Sequence, residues 1–304
     1  MFHGSMVAIV TPMEPDGVID VDSLRNLIEW HIEQGTHGIV ILGSTGESPT
    51  INPQERQLII QQAREQIKER VPLIVGTGTN STDLSIHYTR EAMELGADAC
   101  LLITPYYNKP TQEGLYLHFK AVADAVPIPQ ILYNCPSRTA CDLKPETIAR
   151  LVHLPNIIGL KEAVGDLQRL KEILAFSSHV LDVYSGDDAT GLDFLLAGAR
   201  GVISVTANVA PQLMRKMCDA ALAGDTETAH QINEKLAGFH KLQGVETNPI
   251  PVKWALHIMG MIPKGIRLPL TPLSETYHDA VREALMPFWQ EHISYSRNTG
   301  TASL

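Results

Sequence analysis

The chain has 304 residues, 44% of them apolar, and a formal net charge of −10. That length admits one barrel of roughly 250 residues with an appendage, or two domains. No apolar run approaches the ~20 residues that cross a bilayer, and the acidic balance argues against nonspecific binding to nucleic acid or an anionic membrane.

The opening Met1-Phe2-His3-Gly4-Ser5 lacks the basic and long apolar regions of a signal peptide, so a cytoplasmic location is expected. Eight short apolar runs then alternate with helical patterns: residues 6–10, 39–42, 73–75, 99–103, 131–133, 157–160, 180–184 and 201–205. Their intervals of roughly 20–35 residues suit repeated βα units. A closed (β/α)8 TIM barrel is the simpler reading, although an open doubly wound sheet is admissible. Asn52-Pro53-Gln54-Glu55 offers an N-cap, a proline at the first helical position and a capping-box carboxylate. Ser81-Thr82-Asp83, Gly165-Asp166 and Gly186-Asp187-Asp188 are expected to start helices as well, and Gly96 and Gly198 to end them. After the eighth run the pattern changes to helices at 211–223, 226–241, 251–259 and 275–290. The expected organisation is a barrel over 1–224 carrying the site, with a C-terminal helical region over 225–304. The polar tail 296–304 is expected to fray.

In a parallel barrel the residues ending each strand converge on one mouth. Strand 6 ends in Lys161. Alternation puts Lys161 on the face of Gly159 and Ile157, with Gly159 leaving room beneath it. Over an apolar wall its pKa is expected to fall from about 10.4 toward roughly 7–8, freeing an amine that attacks carbonyls. For a strand-end lysine taken alone, simple solvation is the plainer account. Strand 5 ends in Tyr133, a phenol beside that lysine able to shuttle the protons of imine chemistry. Arg138 follows, able to bind a carboxylate in bidentate fashion or to form a surface salt bridge. Strand 2 ends in Gly43-Ser44-Thr45-Gly46-Glu47, whose N–H groups could cradle an anion. Tyr106 and Tyr107 follow strand 4, and strand 8 carries Ile203. None of the twelve histidines ends a strand, and no H-x-H or H-E-x-x-H occurs, which disfavours a metal mechanism. No G-x-G-x-x-G follows a strand, which disfavours a dinucleotide site. Cys100, Cys135, Cys141 and Cys218 form no C-x-x-C pair and are expected to be reduced; Cys135 is read as a small core residue or as one that backs the site residues without touching substrate. Lysine imine chemistry on a non-phosphorylated carbonyl acid remains.

The stretches GIVILGSTGESPTINPQE (38–55), TPYYNKP (104–110) and YNCPSRTACDL through IIGLKEA resemble the dihydrodipicolinate synthase family. The similarity runs from GSMVAIVTPM to NPIPVKWAL and RLPLTPL. The resemblance implies a lyase of lysine and diaminopimelate biosynthesis that condenses pyruvate with L-aspartate 4-semialdehyde, with no metal or cofactor. It implies that Lys161 forms the imine, Tyr133 moves protons, and Ser44 links Tyr133 to Tyr107. Tyr107 would enter a neighbouring subunit's site, in a homotetramer built as a dimer of dimers. Thr45 would hold pyruvate's carboxylate, the backbone of Ile203 would contact the adduct, and Arg138 would anchor the semialdehyde.

Two departures from the family pattern stand out. Ser44 replaces a threonine and keeps the hydroxyl without the methyl that limits its rotamers. Ser48, Asn80 and Tyr106 match the pattern of lysine-inhibited members, but Pro53, Arg56 and Leu84 replace groups expected to be His or Glu there. Weak or absent inhibition by lysine is the expectation. Two rival functions stay open: a related pyruvate aldolase acting on a sugar acid, and a barrel that binds a keto acid without turnover.

Overall fold

The computed structural model describes residues 2–177 and 180–299, with side chains described as far as Trp289. Eight parallel strands close into one barrel in sequence order. They are β1 (Gly4–Ala8), β2 (Gly38–Ile41), β3 (Leu73–Gly76), β4 (Ala99–Ile103), β5 (Gln130–Asn134), β6 (Ile157–Glu162), β7 (Asp182–Ser185) and β8 (Gly201–Ser204). β8 returns to β1 with Ile203 opposite Met6. The expected (β/α)8 barrel is the fold.

The helix starts were largely local. Asn52 Oδ1 accepts the Glu55 N–H at 2.9 Å, and Glu55 Oε2 accepts the Asn52 N–H at 3.0 Å, opening the helix Pro53–Ile67. Ser81 caps Thr82–Glu94, and Asp166 accepts the Gln168 N–H at 2.8 Å at the start of Leu167–Ser177. The start expected at Asp187-Asp188 is a correction. The helix there is Gly191–Leu196, whose N-cap is Thr190 without a side-chain cap bond; Asp187 Oδ2 accepts the Thr190 N–H at 3.1 Å, in the turn that precedes the helix, and Asp188 is engaged elsewhere. Asp187 Oδ2 accepts the Thr190 hydroxyl at 2.8 Å, while Asp188 Oδ2 reaches across to the Val205 and Thr206 N–H groups at 2.9 and 2.8 Å.

Past β8 come the helices Pro211–Leu222, Thr226–Leu242, Ile250–Ile258 and His278–Thr299, with no further strand among the described residues. Leu236, Phe239, Trp254 and Leu256 share one apolar cluster with Ile28 and Val202 of the barrel. Residues 296–299 of the tail, expected to fray, continue the helix His278–Thr299, and residues 300–304 lie outside the described residues.

Inside the barrel, alternate strand residues form a separate cluster: Met6, Val40, Ile74, Leu101, Ile131, Tyr133, Tyr184 and Ile203. β6 departs from simple alternation. Gln130 faces Ile157 but Ile131 faces Gly159, so Ile158 is an extra residue in the pairing. Ile157 therefore packs outside with Leu160, and Ile158 takes the inner side. Lys161 shares its face with Gly159, as expected, but not with Ile157.

Candidate active site

β6 continues past Leu160 to Glu162, so Lys161 lies inside the strand pairing, opposite Tyr133 on one side and Tyr184 on the other. The pairing fixes the backbone from which the amine projects. The side chain is only 5% exposed, which rules out the solvated lysine. Its Nζ stands 4.3 Å from the centroid of the Tyr133 ring. Burial lowers its pKa from 10.5 to about 8, against smaller opposing pulls from Cys135 and Asp188. At that value roughly a tenth of the amine is unprotonated at neutral pH.

The floor beneath Lys161 differs from the expectation. A side chain at Gly159 would meet the Tyr184 ring at 2.8 Å, so the space its absence leaves is filled by that ring. Tyr184 is fully buried and donates its hydroxyl to Phe2 O at 3.1 Å. The stem of the lysine rests on Gly186, where an added Cβ would stand 2.9 Å from Lys161 Cε. Sequence reasoning missed both residues in these roles. The period-two pattern linking Tyr184 to Gly186 along one face was the available signal.

Tyr133 is buried in the same cluster as Cys135, which is the small core residue expected. Burial pushes the Tyr133 hydroxyl well above its ordinary range; a hydrogen bond with Ser44 works against that rise. Tyr133 is thus a neutral phenol at neutral pH. Thr45 is buried, and its Oγ1 accepts the Asn248 amide at 3.0 Å. The Ser44 and Thr45 N–H groups donate to no atom among the described residues. Ile203 is buried in the interior of β8.

Arg138 follows β5 on the short helix Pro136–Thr139, exposed, and donates to Asn248 O at 3.1 Å. It forms no ion pair among the described residues, so the surface salt bridge is not its role. Asn248 thus touches both Thr45 and Arg138 from the far end of the chain, a contact that no local pattern announced.

A cavity of about 480 Å³ opens beside these groups, lined by Ser44, Tyr133, Arg138 and Asn248 and also by Arg56 and Leu84. Lys161 does not line it; Tyr133, whose ring its Nζ faces, does. Tyr107 is not brought to the site of its own chain. It is 90% exposed, and its φ of +74° is left-handed, a conformation that costs energy in any residue with a Cβ. Among the described residues no cluster of His, Cys, Asp and Glu could hold a metal ion, and all four cysteines are free and buried.

Comparison with known proteins agrees with this geometry. The profile of the Dihydrodipicolinate synthetase family matches residues 1–287. A 4-hydroxy-tetrahydrodipicolinate synthase of Coxiella burnetii is 59% identical over 285 residues, covering 94% of this chain and 98% of that one. One from Nitrosococcus oceani is 57% identical with the same coverage. The crystal structure of the chloride-inhibited dihydrodipicolinate synthase of Acinetobacter baumannii, complexed with pyruvate, superposes with a TM-score of 0.93 at 52% identity, covering 94% and 99% of the two chains. The buried lysine and tyrosine of a barrel mouth, and relatives aligned over nearly the whole length, place the chain in one group: it belongs to the dihydrodipicolinate synthetase family.

Proposed function

We propose that the protein condenses pyruvate with L-aspartate 4-semialdehyde to 4-hydroxy-tetrahydrodipicolinate, in lysine and diaminopimelate biosynthesis, in the cytoplasm. The observation that carries this is Lys161: an amine buried without a carboxylate ion-pair partner among the described residues, beside a neutral phenol, at the carboxyl end of a barrel strand. A lysine so placed is a nucleophile toward carbonyls. Its amine adds to C2 of pyruvate, and loss of water leaves an imine. Loss of a methyl proton gives the enamine, whose carbon attacks the aldehyde. The amino group of the semialdehyde then adds to the imine carbon, closes the ring and expels Lys161.

Each step moves a proton, and Tyr133 is the group that moves it. The free Ser44 and Thr45 N–H groups, with the Thr45 hydroxyl, receive the pyruvate carboxylate. The Ile203 backbone borders the adduct. Arg138 takes the semialdehyde carboxylate from the cavity side; a polyol acceptor would need hydroxyl partners instead.

Tyr107 completes the relay from Ser44 and Tyr133 in a neighbouring copy, within a homotetramer built as a dimer of dimers. Its exposure and strained backbone support that reading, because strain persists where something holds it. Mixing Tyr107→Ala with Lys161→Ala protein tests it. Activity should reappear in hybrids, and failure to reappear in confirmed hybrids would count against the shared site.

The function itself is tested by borohydride reduction with pyruvate, followed by peptide mapping and an assay for condensation with the semialdehyde. A pyruvyl adduct on Lys161 together with product formation is expected. No adduct in folded protein would refute the mechanism.

A further inference from the structure

Three side chains from residues 245–270 fasten the loop after β2. Lys253, on the helix Ile250–Ile258, donates from Nζ to Glu47 Oε1, and both side chains are buried. The Arg267 N–H donates to the other carboxylate oxygen, Glu47 Oε2, at 3.2 Å. The Arg267 guanidinium goes on to Thr50 O at 2.6 Å and Gly17 O at 2.7 Å. Asn248 holds Thr45 Oγ1 at 3.0 Å.

Glu47 is where these contacts converge. Its backbone sits at φ +57° and ψ +34°, the left-handed region that a residue with a Cβ adopts at a cost. Its N–H donates to Ser44 O at 3.2 Å, so the conformation of Glu47 and that of the turn bearing Ser44 and Thr45 are one structure. Left-handed residues persist where their surroundings over-determine them. A carboxylate engaged on both oxygens by separate donors does so. An apolar contact would fill the same space without fixing an orientation.

We propose that the buried Glu47–Lys253 pair is a positioning clasp, by which the C-terminal helices set the turn that receives the pyruvate carboxylate. The proposal rests on reading Ser44 and Thr45 as that carboxylate's partners. Neither Glu47 nor Lys253 touches a reacting atom; both are positioning residues.

Lys253→Met alone would strand the Glu47 charge and disturb the fold as well as the loop. The test is therefore the neutral pair, Glu47→Gln with Lys253→Met, which leaves no unmatched charge. Borohydride capture of pyruvate and hydrogen exchange of the 44–48 amides are followed in the full-length protein. The pair should need about tenfold more pyruvate for half-maximal capture, as expected for a carboxylate site displaced by a fraction of an ångström. The pH midpoint of capture should stay where it is in the unaltered protein, because the surroundings of Lys161 are untouched, and exchange at 44–48 should quicken. Unchanged half-saturation and unchanged exchange would overturn the clasp. If the unaltered protein captures no pyruvate, the proposed function fails, and the exchange result still decides whether the pair holds the loop.

Discussion

Lys161 and Lys253 are each 5% exposed, and burial pulls both below the ordinary lysine range. They differ in what faces them. Lys253 meets the buried carboxylate of Glu47, which offsets part of the desolvation. Lys161 meets the face of a phenol ring and has no ion-pair partner among the described residues. The same residue type, equally buried, is thereby ion-paired in the C-terminal region and, among the described residues, without an ion-pair partner at the barrel mouth. Burial lowers a lysine's pKa, but the counter-ion decides whether the group becomes a base or a strut.

One substitution applied to both sites exposes the difference. Lys161→Met should abolish pyruvate capture and lower turnover by at least ~10⁴-fold, measured by borohydride trapping and steady-state rates. Lys253→Met should leave the nucleophile in place and act chiefly on stability, costing about 3–5 kcal/mol in denaturant unfolding because it leaves a buried carboxylate unmatched, with capture weakened through the loop but not abolished.

Lys161→Met should have the opposite sign on stability. The fold holds Lys161 at about 8 against 10.5 for the free group, so it disfavours the charged form that the unfolded chain prefers. That cost, about 3 kcal/mol, is fully present below pH 8. It disappears as the pH climbs from about 8 to 10.5, where the unfolded lysine also loses its proton. Lys161→Met should therefore unfold at higher denaturant than the parent at pH 7, with the gap closing by pH 10.5. A gap independent of pH would mean that Lys161 is not a strained ammonium.

A smaller effect is expected from Gly186→Ala. The new methyl would press on Lys161 Cε at 2.9 Å and on Ala163, moving the amine while leaving its partners in place. Pyruvate capture should slow about 10-fold, and overpacking against Ala163 should cost about 1–3 kcal/mol in denaturant unfolding. The least change is expected with L-lysine, whose half-inhibition should stay above about 1 mM. Arg56, its guanidinium 4.0 Å over the Tyr88 ring, and Leu84 line the cavity and offer no anion to a second ammonium. Half-inhibition at lower concentrations in an inhibition titration would contradict this.

The comparison also shows where the sequence was legible. Lys161 and Tyr133 could be placed because short apolar runs mark strands and chemistry gathers at their carboxyl ends; both are local signals. The capping box at Asn52 was readable for the same reason. The extra residue at Ile158 was not, since pairing with β5 produces it and nothing in IIGL announces it. Tyr184 beneath Gly159 required knowing that β7 lies beside β6. The Glu47–Lys253 pair joins residues 206 positions apart, and although the apolar helix around Lys253 is buried from Ile250 to Leu256, nothing local names Glu47 as the partner. Tyr107 was singled out only through resemblance, and within one chain it stays away from the site.

The most direct test of the account is the titration of the Lys161 amine itself, by competitive reductive methylation across pH with quantification of the Lys161 peptide. Lys161→Arg protein serves as the blank. The midpoint should lie near 8, with reactivity rising as the pH increases through it. A midpoint near 10.5, like that of an exposed lysine, would contradict the claim that burial without a counter-ion makes Lys161 the nucleophile.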